Sequence, residues 1–256
     1  MPRTRKSKPT VRAEDMEMIV RAESADPFQV LGWHPVKRED AECVAVRAFL
    51  PRAKEVEVVP HGTGAPVRAE RIHEAGFFEA VLPAPAGDAA FEYRLRVTYF
   101  DGRTEEVFDP YSFPPLLSDF DLHLMNEGTH YEKYEKLGAH VREVNGTSGV
   151  HFAVWAPNAR RVSVVGDFNF WDGRAHAVRI RGQSGIWELF LPGLDEGRIY
   201  KFEILTRSGI ALKSEPYGFW SERRPKTASI VADIERYEWH DADWCEAREK
   251  RDWLAA

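Results

Sequence analysis

In "VVGDFNFWDG", residues 164–173, two β-branched residues run into a loop holding Asp167, Phe168, Asn169, Phe170, Trp171 and Asp172. A turn ordinarily takes small polar residues that fit its backbone angles. Three clustered rings there either tuck into a core or face outward to meet something flat. Phe168, directly after a strand, is expected to turn inward. Trp171 offers the largest flat apolar face, suited to the C–H side of a sugar ring. Asn169 and Asp172 supply the donors and acceptors that a polyhydroxylated ligand needs.

The elements that must hold this loop are strands. "AEDMEMIVRAES" (13–24) places Met16, Ile19, Val20 and Glu23 at helical spacing, with acids in its first turn and Asp26-Pro27 closing it, which predicts one short helix. Period-two runs then take over to about residue 116: "CVAVRAFL", "EVEVV", "FFEAVL" and "FEYRLRVTYF", broken by "LPRA", "HGTG", "LPAPAGD" and "FDG". Residues 137–235 repeat the style with "GVHFAVWAP", "RVSVVGD", "GIWELFLPG", "IYKFEILT" and "ASIVADI".

The order repeats as well. "FLPRAKEVEVV" (49–59) lies over "WAPNARRVSVV" (155–165), "HEAGFFEAVLPAP" (73–85) over "GQSGIWELFLPGL" (182–194), and "DPYSF" (109–113) over "EPYGF" (215–219), at offsets of 106 to 109 residues. Short strands with frequent turns, repeated at that interval, predict an all-β chain of two tandem immunoglobulin-like β-sandwiches, over 25–117 and 137–235. Solenoid repeats are far shorter. Between them, 118–136 mixes Leu122, Leu124, Met125, Tyr131 and Tyr134 with polar residues, which predicts a helical connector. The comparison also supplies an internal control. Where the second copy has "VVGDFNFWDG", the first has Pro60, His61, Gly62, Thr63 and Gly64. The scaffold does not demand the rings.

The 256 residues are 43% hydrophobic and 12% aromatic, ample for packed cores, and the formal charge is −6. That charge argues against a nucleic-acid partner, although Arg3, Arg5, Lys6, Lys8 and Arg12 make a basic start, read with 13–24 as a tail and short helix. Cys43 and Cys245 have neither metal-ligand nor redox spacing, which favours a reducing compartment, the cytoplasm. No signal peptide is evident and no run reaches the roughly 18 apolar residues of a membrane span. The His residues are scattered, so no metal and no cofactor is expected.

"GDFNFWD" followed by "GIWELFLPGLDEGRIYKFEI" resembles the family 48 carbohydrate-binding module of α-glucan enzymes. With "DPFQVLGWHP" (26–35), "FDPYSFPPLL", "EKLGAH" and "EPYGFWSERRPKTASIV", the whole chain after the basic tail is similar to the amino-terminal part of bacterial glycogen branching enzymes. The resemblance implies that a (β/α)8 catalytic barrel follows in the intact enzyme. It also implies an α-1,4-glucan (glycogen or maltooligosaccharide) as partner, and retaining two-carboxylate chemistry performed elsewhere. No catalytic residue is expected here: His240-Asp241 is the only echo of a barrel motif and has no strand to sit on.

Carried over residue by residue, Trp171 falls at the stacking position and Lys201, in "YKF", at the hydrogen-bonding position. Leu212 stands near the position where binding members of the family carry a second aromatic platform, and Ser229 nearest the position of their Asn, so the site is depleted relative to that pattern. Without the resemblance Lys201 is a solvated strand residue, alternating with core-facing Tyr200 and Phe202. Trp155 and Trp187 sit in strand runs and are expected to pack, while Trp33 and Trp220 are left unassigned. Trp239, Trp244 and Trp253, in a segment without strand alternation (236–256), need a surface to cover, expected on the barrel. Three readings follow: a non-catalytic glucan-contacting portion of a branching enzyme, a purely structural sandwich pair with vestigial sugar contact, or the front of a debranching-type enzyme.

Overall fold

The structure is a computed structural model that describes residues 8–38, 41–62, 64–85, 91–234 and 236–251. The basic residues Arg3, Arg5 and Lys6, the loop residue Thr63, and Trp253 lie outside the described residues.

The first helix, α1 (Ala13–Val20), carries Glu14 and Asp15 in its first turn and buries Ile19 against Leu31, Phe49 and Phe77. It stops short of the expected residue 24: Ala22 is left-handed (φ +53°), and the Glu23 amide returns to the Met18 carbonyl at 2.9 Å, ending the helix.

Eight strands follow: β1 (Gly32–Arg38), β2 (Ala41–Phe49), β3 (Ala53–Pro60), β4 (Val67–Arg68), β5 (Glu70–His73), β6 (Phe77–Pro83), β7 (Tyr93–Tyr99) and β8 (Thr104–Val107). They form antiparallel sheets in the orders β1-β2-β6-β5 and β4-β3-β7-β8. Val44, Val46, Phe78 and Leu82 of one meet Val56, Val58, Leu95 and Val97 of the other. The connector helix α2 (Asp119–Glu127) starts at Ser118, whose hydroxyl takes the Asp121 amide while the Asp121 carboxylate takes the Ser118 amide. Its Leu122 and Met125 pack on Ala153 and Ile186, whereas Tyr131 beyond it is exposed.

The second set is β9 (Gly138–Val144), β10 (Thr147–Trp155), β11 (Arg161–Gly166), β12 (Arg179–Ile180), β13 (Ile186–Pro192), β14 (Ile199–Thr206), β15 (Gly209–Lys213), β16 (Trp220–Ser221) and β17 (Ser229–Ile230). One sheet runs β12-β13-β10-β9 and the other β11-β14-β17-β16, with β15 sharing with β17 the edge of β14 opposite β11. Their core is Phe152, Val162, Val164, Trp187, Leu189, Tyr200 and Phe202. The architecture is thus all-β, two tandem immunoglobulin-like sandwiches with a helical connector. Trp187 is fully buried as expected, and its indole N–H reaches the Ala156 carbonyl at 3.0 Å. Trp155 is not packed: it lies on the outer face of β10, 61% exposed, so strand alternation sends it away from the core. The segment after residue 236 contains a helix, α3 (Ala242–Glu249), with Trp244 exposed beside Arg248.

The sandwiches dock through Arg179, whose guanidinium stacks on Phe28 at 3.3 Å and donates to the Phe113 carbonyl at 2.8 Å, and through Tyr111, whose hydroxyl reaches the Ala177 carbonyl at 3.3 Å. Glu188, on β13, accepts the Leu116 and Leu117 amides, each at 3.0 Å, and so grips the segment that enters the second sandwich. No helix among the described residues is long and apolar enough to cross a membrane.

Candidate glucan-binding site

The aromatic loop leaves β11 at Gly166, which pairs with Tyr200 on β14. A short 3-10 turn, Asp167–Asn169, then throws the backbone into two successive left-handed residues, Phe170 (φ +59°) and Trp171 (φ +61°). L-residues resist this conformation by about 1–2 kcal/mol each, so something must fix it. Asn169 does: it is buried, its Oδ1 accepts the Gly166 amide at 2.9 Å, and its Nδ2 donates to the Val164 carbonyl at 2.8 Å and to His176 Nδ1 at 3.0 Å. Burial pushes His176 down to about 4, so the imidazole is neutral and its Nδ1 can accept. The Trp171 amide closes the loop on the Gly166 carbonyl at 3.0 Å.

The return leg is pinned from below. Arg161, buried in the sheet, donates to Ser163 Oγ at 2.6 Å, to the Gly173 carbonyl at 3.2 Å and to Glu203 Oε1 at 2.7 Å. Gly173 lies so close to that carboxylate that a Cβ would stand 1.9 Å from Glu203 Oε1. Asp172 is held by Arg174 through two bonds of 2.9 and 2.7 Å and receives the Arg174 amide at 3.0 Å. The hydrogen bonds from Arg174 hold the Asp172 carboxyl below its usual range against the opposing effect of burial.

The three rings therefore have separate fates. Phe168 turns inward, packing on the core and 5.8 Å from the His176 ring. Phe170 is 62% exposed beneath Arg52 of the first sandwich, whose guanidinium sits 3.4 Å from the ring centroid. Trp171 is 42% exposed. Lys201 pairs with Val165, one residue from the root of the loop, so the register brings Trp171 and Lys201 to the same end of the sheet. Its ammonium donates to Thr227 Oγ1 at 2.7 Å. Leu212, paired with Glu203, is exposed on the same face, and Ser229 is buried with its hydroxyl accepting the Glu215 amide at 3.0 Å.

Of the four residues singled out from sequence, the structure gathers Asn169, Trp171, Asp172 and Lys201 at one sheet end. It gives Asn169 and Asp172 partners within the loop itself. Arg52 and Arg161 escaped the sequence reading. Arg161 follows strand spacing like any surface residue, and Arg52 sits in an ordinary turn a hundred residues upstream.

Residues 12–111 match the family described as the α-1,4-glucan branching enzyme GlgB N-terminal domain. Residues 136–218 match carbohydrate-binding module 48, the isoamylase N-terminal domain family. Relatives are named 1,4-alpha-glucan branching enzyme GlgB: that of Thermosynechococcus vestitus is 48% identical over 95% of this chain and 31% of its own length. The GlgB of Paramagnetospirillum magneticum is 48% identical over 94% and 31%, and that of Methylococcus capsulatus 50% identical over 94% and 31%. The chain spans about a third of the length of these relatives. It belongs, through its first sandwich, to the GlgB N-terminal domain family and, through its second, to the family 48 carbohydrate-binding modules, in the order found at the front of 1,4-α-glucan branching enzymes.

Proposed function

We propose that this chain is the non-catalytic front of a cytoplasmic 1,4-α-glucan branching enzyme, with domains at 25–117 and 137–235, holding glucan chains near a barrel that transfers α-1,4 segments to 6-hydroxyls. Trp171 is the stacking platform, Lys201 the hydrogen-bonding partner, and Asn169 and Asp172 shape the loop between them. The observation that carries this is the half-exposed Trp171 ring on a loop fixed by Asn169 and Arg161. An exposed ring held this firmly is prepared for a flat ligand without further ordering cost. One platform and a few hydrogen bonds at about 1 kcal/mol each, less the cost of association, give binding on the order of millimolar. That becomes effective when several sites share one polymer.

Electrophoresis through gels containing glycogen tests this. The chain should be retarded and Trp171→Ala should run nearly as in a gel without glycogen. Equal retardation of the two proteins overturns the reading. Exposed Tyr237, Trp239 and Trp244 support a second role, seating the barrel. A separately produced barrel should then form a complex that lowers their solvent exposure, read by tryptophan quenching.

A further inference from the structure

Beside the Trp171 loop, the junction of the two sandwiches opens into a cleft of about 800 Å³. The first sandwich lines it with Arg52, Phe100 and Arg103, the second with Phe168, Phe170 and Arg198. Phe100, on the turn between β7 and β8, is 67% exposed, and Phe170 faces the same space from the other domain. Among the described residues none of the three arginines is in a salt bridge. Arg52 spreads over Phe170 and Arg103 over the Tyr99 ring at 4.7 Å, while Tyr99 itself donates to Glu105.

The cleft also holds Asp101, which accepts the Arg103 amide at 3.0 Å, and Glu105, which accepts from Tyr99; rings, guanidinium groups and carboxylates side by side are what binds a neutral oligosaccharide. Its C–H faces lie on rings, and its hydroxyl and ring oxygens accept from guanidinium N–H groups. A space of this size is in the usual range for ligand sites, about 300–1,000 Å³. It adjoins the Trp171 loop through Phe170, which lines the cleft and precedes Trp171 in the chain, while Trp171 itself lies outside the lining.

We infer that the cleft between the sandwiches is a second glucan subsite, taking the part of an α-glucan chain that extends past the sugar on Trp171. The inference rests on the glucan-binding reading of Trp171. It gives the first sandwich a share in binding, through Phe100 and Arg103, with Arg52 holding Phe170 in place.

The test titrates the whole chain directly with maltotriose or maltoheptaose, read by tryptophan fluorescence. For Phe100→Ala, the half-saturating maltoheptaose concentration should rise about fivefold, the worth of one ring contact of about 1 kcal/mol, with that for maltotriose unchanged. Arg198→Gln, on an exposed loop of the opposite wall, should act in the same direction. Wild-type affinity of both variants for both oligomers overturns the cleft while leaving Trp171 intact. So does an equal change for the two oligomers, which would place Phe100 in the primary site. Unchanged retardation in glycogen gels for Trp171→Ala and the cleft variants alike removes both readings together.

Discussion

The two sandwiches repeat one another down to single hydrogen bonds, and this gives their difference at the aromatic loop its meaning. Gly32 (φ +87°) and Gly138 (φ +111°) open them in the same way, each so near the carbonyl of Tyr111 or Tyr217 that a side chain would crowd it. His34 and His140 each donate from Nε2 to the carbonyl three residues back, both at 3.0 Å. Asp109 and Glu215 cap the amides of Tyr111 and Tyr217 at 2.9 and 3.0 Å. Glu79 and Glu188 are buried on equivalent strands, and each receives the backbone leading into its own sandwich: Thr10 in one case, Leu116 and Leu117 in the other. Against that background, the Trp171 loop, standing where the first sandwich has residues 60–64, is an addition to a finished scaffold. Fold and site are separable, and each can be broken alone.

The largest break should come at Glu188. It is almost fully buried, with His151 at 2.9 Å, Arg181 on its other oxygen and two linker amides. Replacing it with Ala strands these partners and should cost about 3–5 kcal/mol, read as a fall in the urea midpoint. Burial alone would raise this carboxyl, but the bonds from His151, Arg181 and the Leu117 amide outweigh burial and hold it at about 2. A depressed folded pKa gives stability that is complete above the ordinary carboxylate value and drains as pH falls from about 4.5 toward 2. Glu188→Gln should flatten that acid arm. An unchanged arm would mean that the carboxylate hub contributes nothing to it.

Asp109 and Glu215 sharpen the comparison with the opposite sign. Burial raises Asp109 to about 6 and Glu215 to about 7. Their surroundings differ by one bond: the Tyr93 hydroxyl donates to Asp109 at 2.6 Å, whereas Glu215 Oε2 has no partner among the described residues. A raised folded pKa means stability present below the ordinary carboxylate value and lost as pH climbs through the folded one. Glu215→Gln should therefore stabilise the chain at pH 8, on the order of 3 kcal/mol from about 1.4 kcal/mol per pKa unit, and leave it nearly unchanged at pH 4. Asp109→Asn, which turns an acceptor of the Tyr93 hydroxyl into a donor, should give no such gain. Equal responses of the two would remove the distinction drawn from Tyr93.

At the loop, Asn169→Ala and Trp171→Ala should separate holding from contact. The first leaves the buried Gly166 amide and Val164 carbonyl without partners, costing about 1–3 kcal/mol, and should abolish glycogen retardation by releasing the left-handed turn. The second should abolish retardation with a melting temperature within a degree or two of wild type. Retained retardation in Asn169→Ala would show that the turn holds itself.

This pair also marks the limit of what could be read from sequence. The sandwiches, their order and the position of Trp171 follow from alternation and from the internal repeat, because core positions recur with period two and turns are punctuated by Gly and Pro. The task of Asn169 does not follow, since an amide beside a Trp is equally suited to a sugar hydroxyl or to its own backbone, and only burial decides. Trp155 defeats the sequence for a related reason: period two fixes alternation but not which of two apolar sets along β10 faces in. Helix α3 gave no signal because its polar and aromatic residues make no stripe.

Arg52 supplies the smallest effect and the finest test of how separable the loop is. It belongs to the first sandwich, yet its guanidinium covers Phe170 and its charge helps lower Asp172, both in the second. The contact is exposed, so Arg52→Ala should cost only about 0.5–1 kcal/mol, less than one hydrogen bond at Asn169. If Arg52 steadies Trp171 through Phe170, then Arg52→Ala and Phe170→Ala should each weaken retardation modestly, and the double variant no further than the stronger single one. Arg52→Lys, which keeps the charge but loses the planar stack, should fall between. Fully additive losses would instead mean that Arg52 and Phe170 contact the glucan separately, and that the first sandwich binds beside the loop rather than through it.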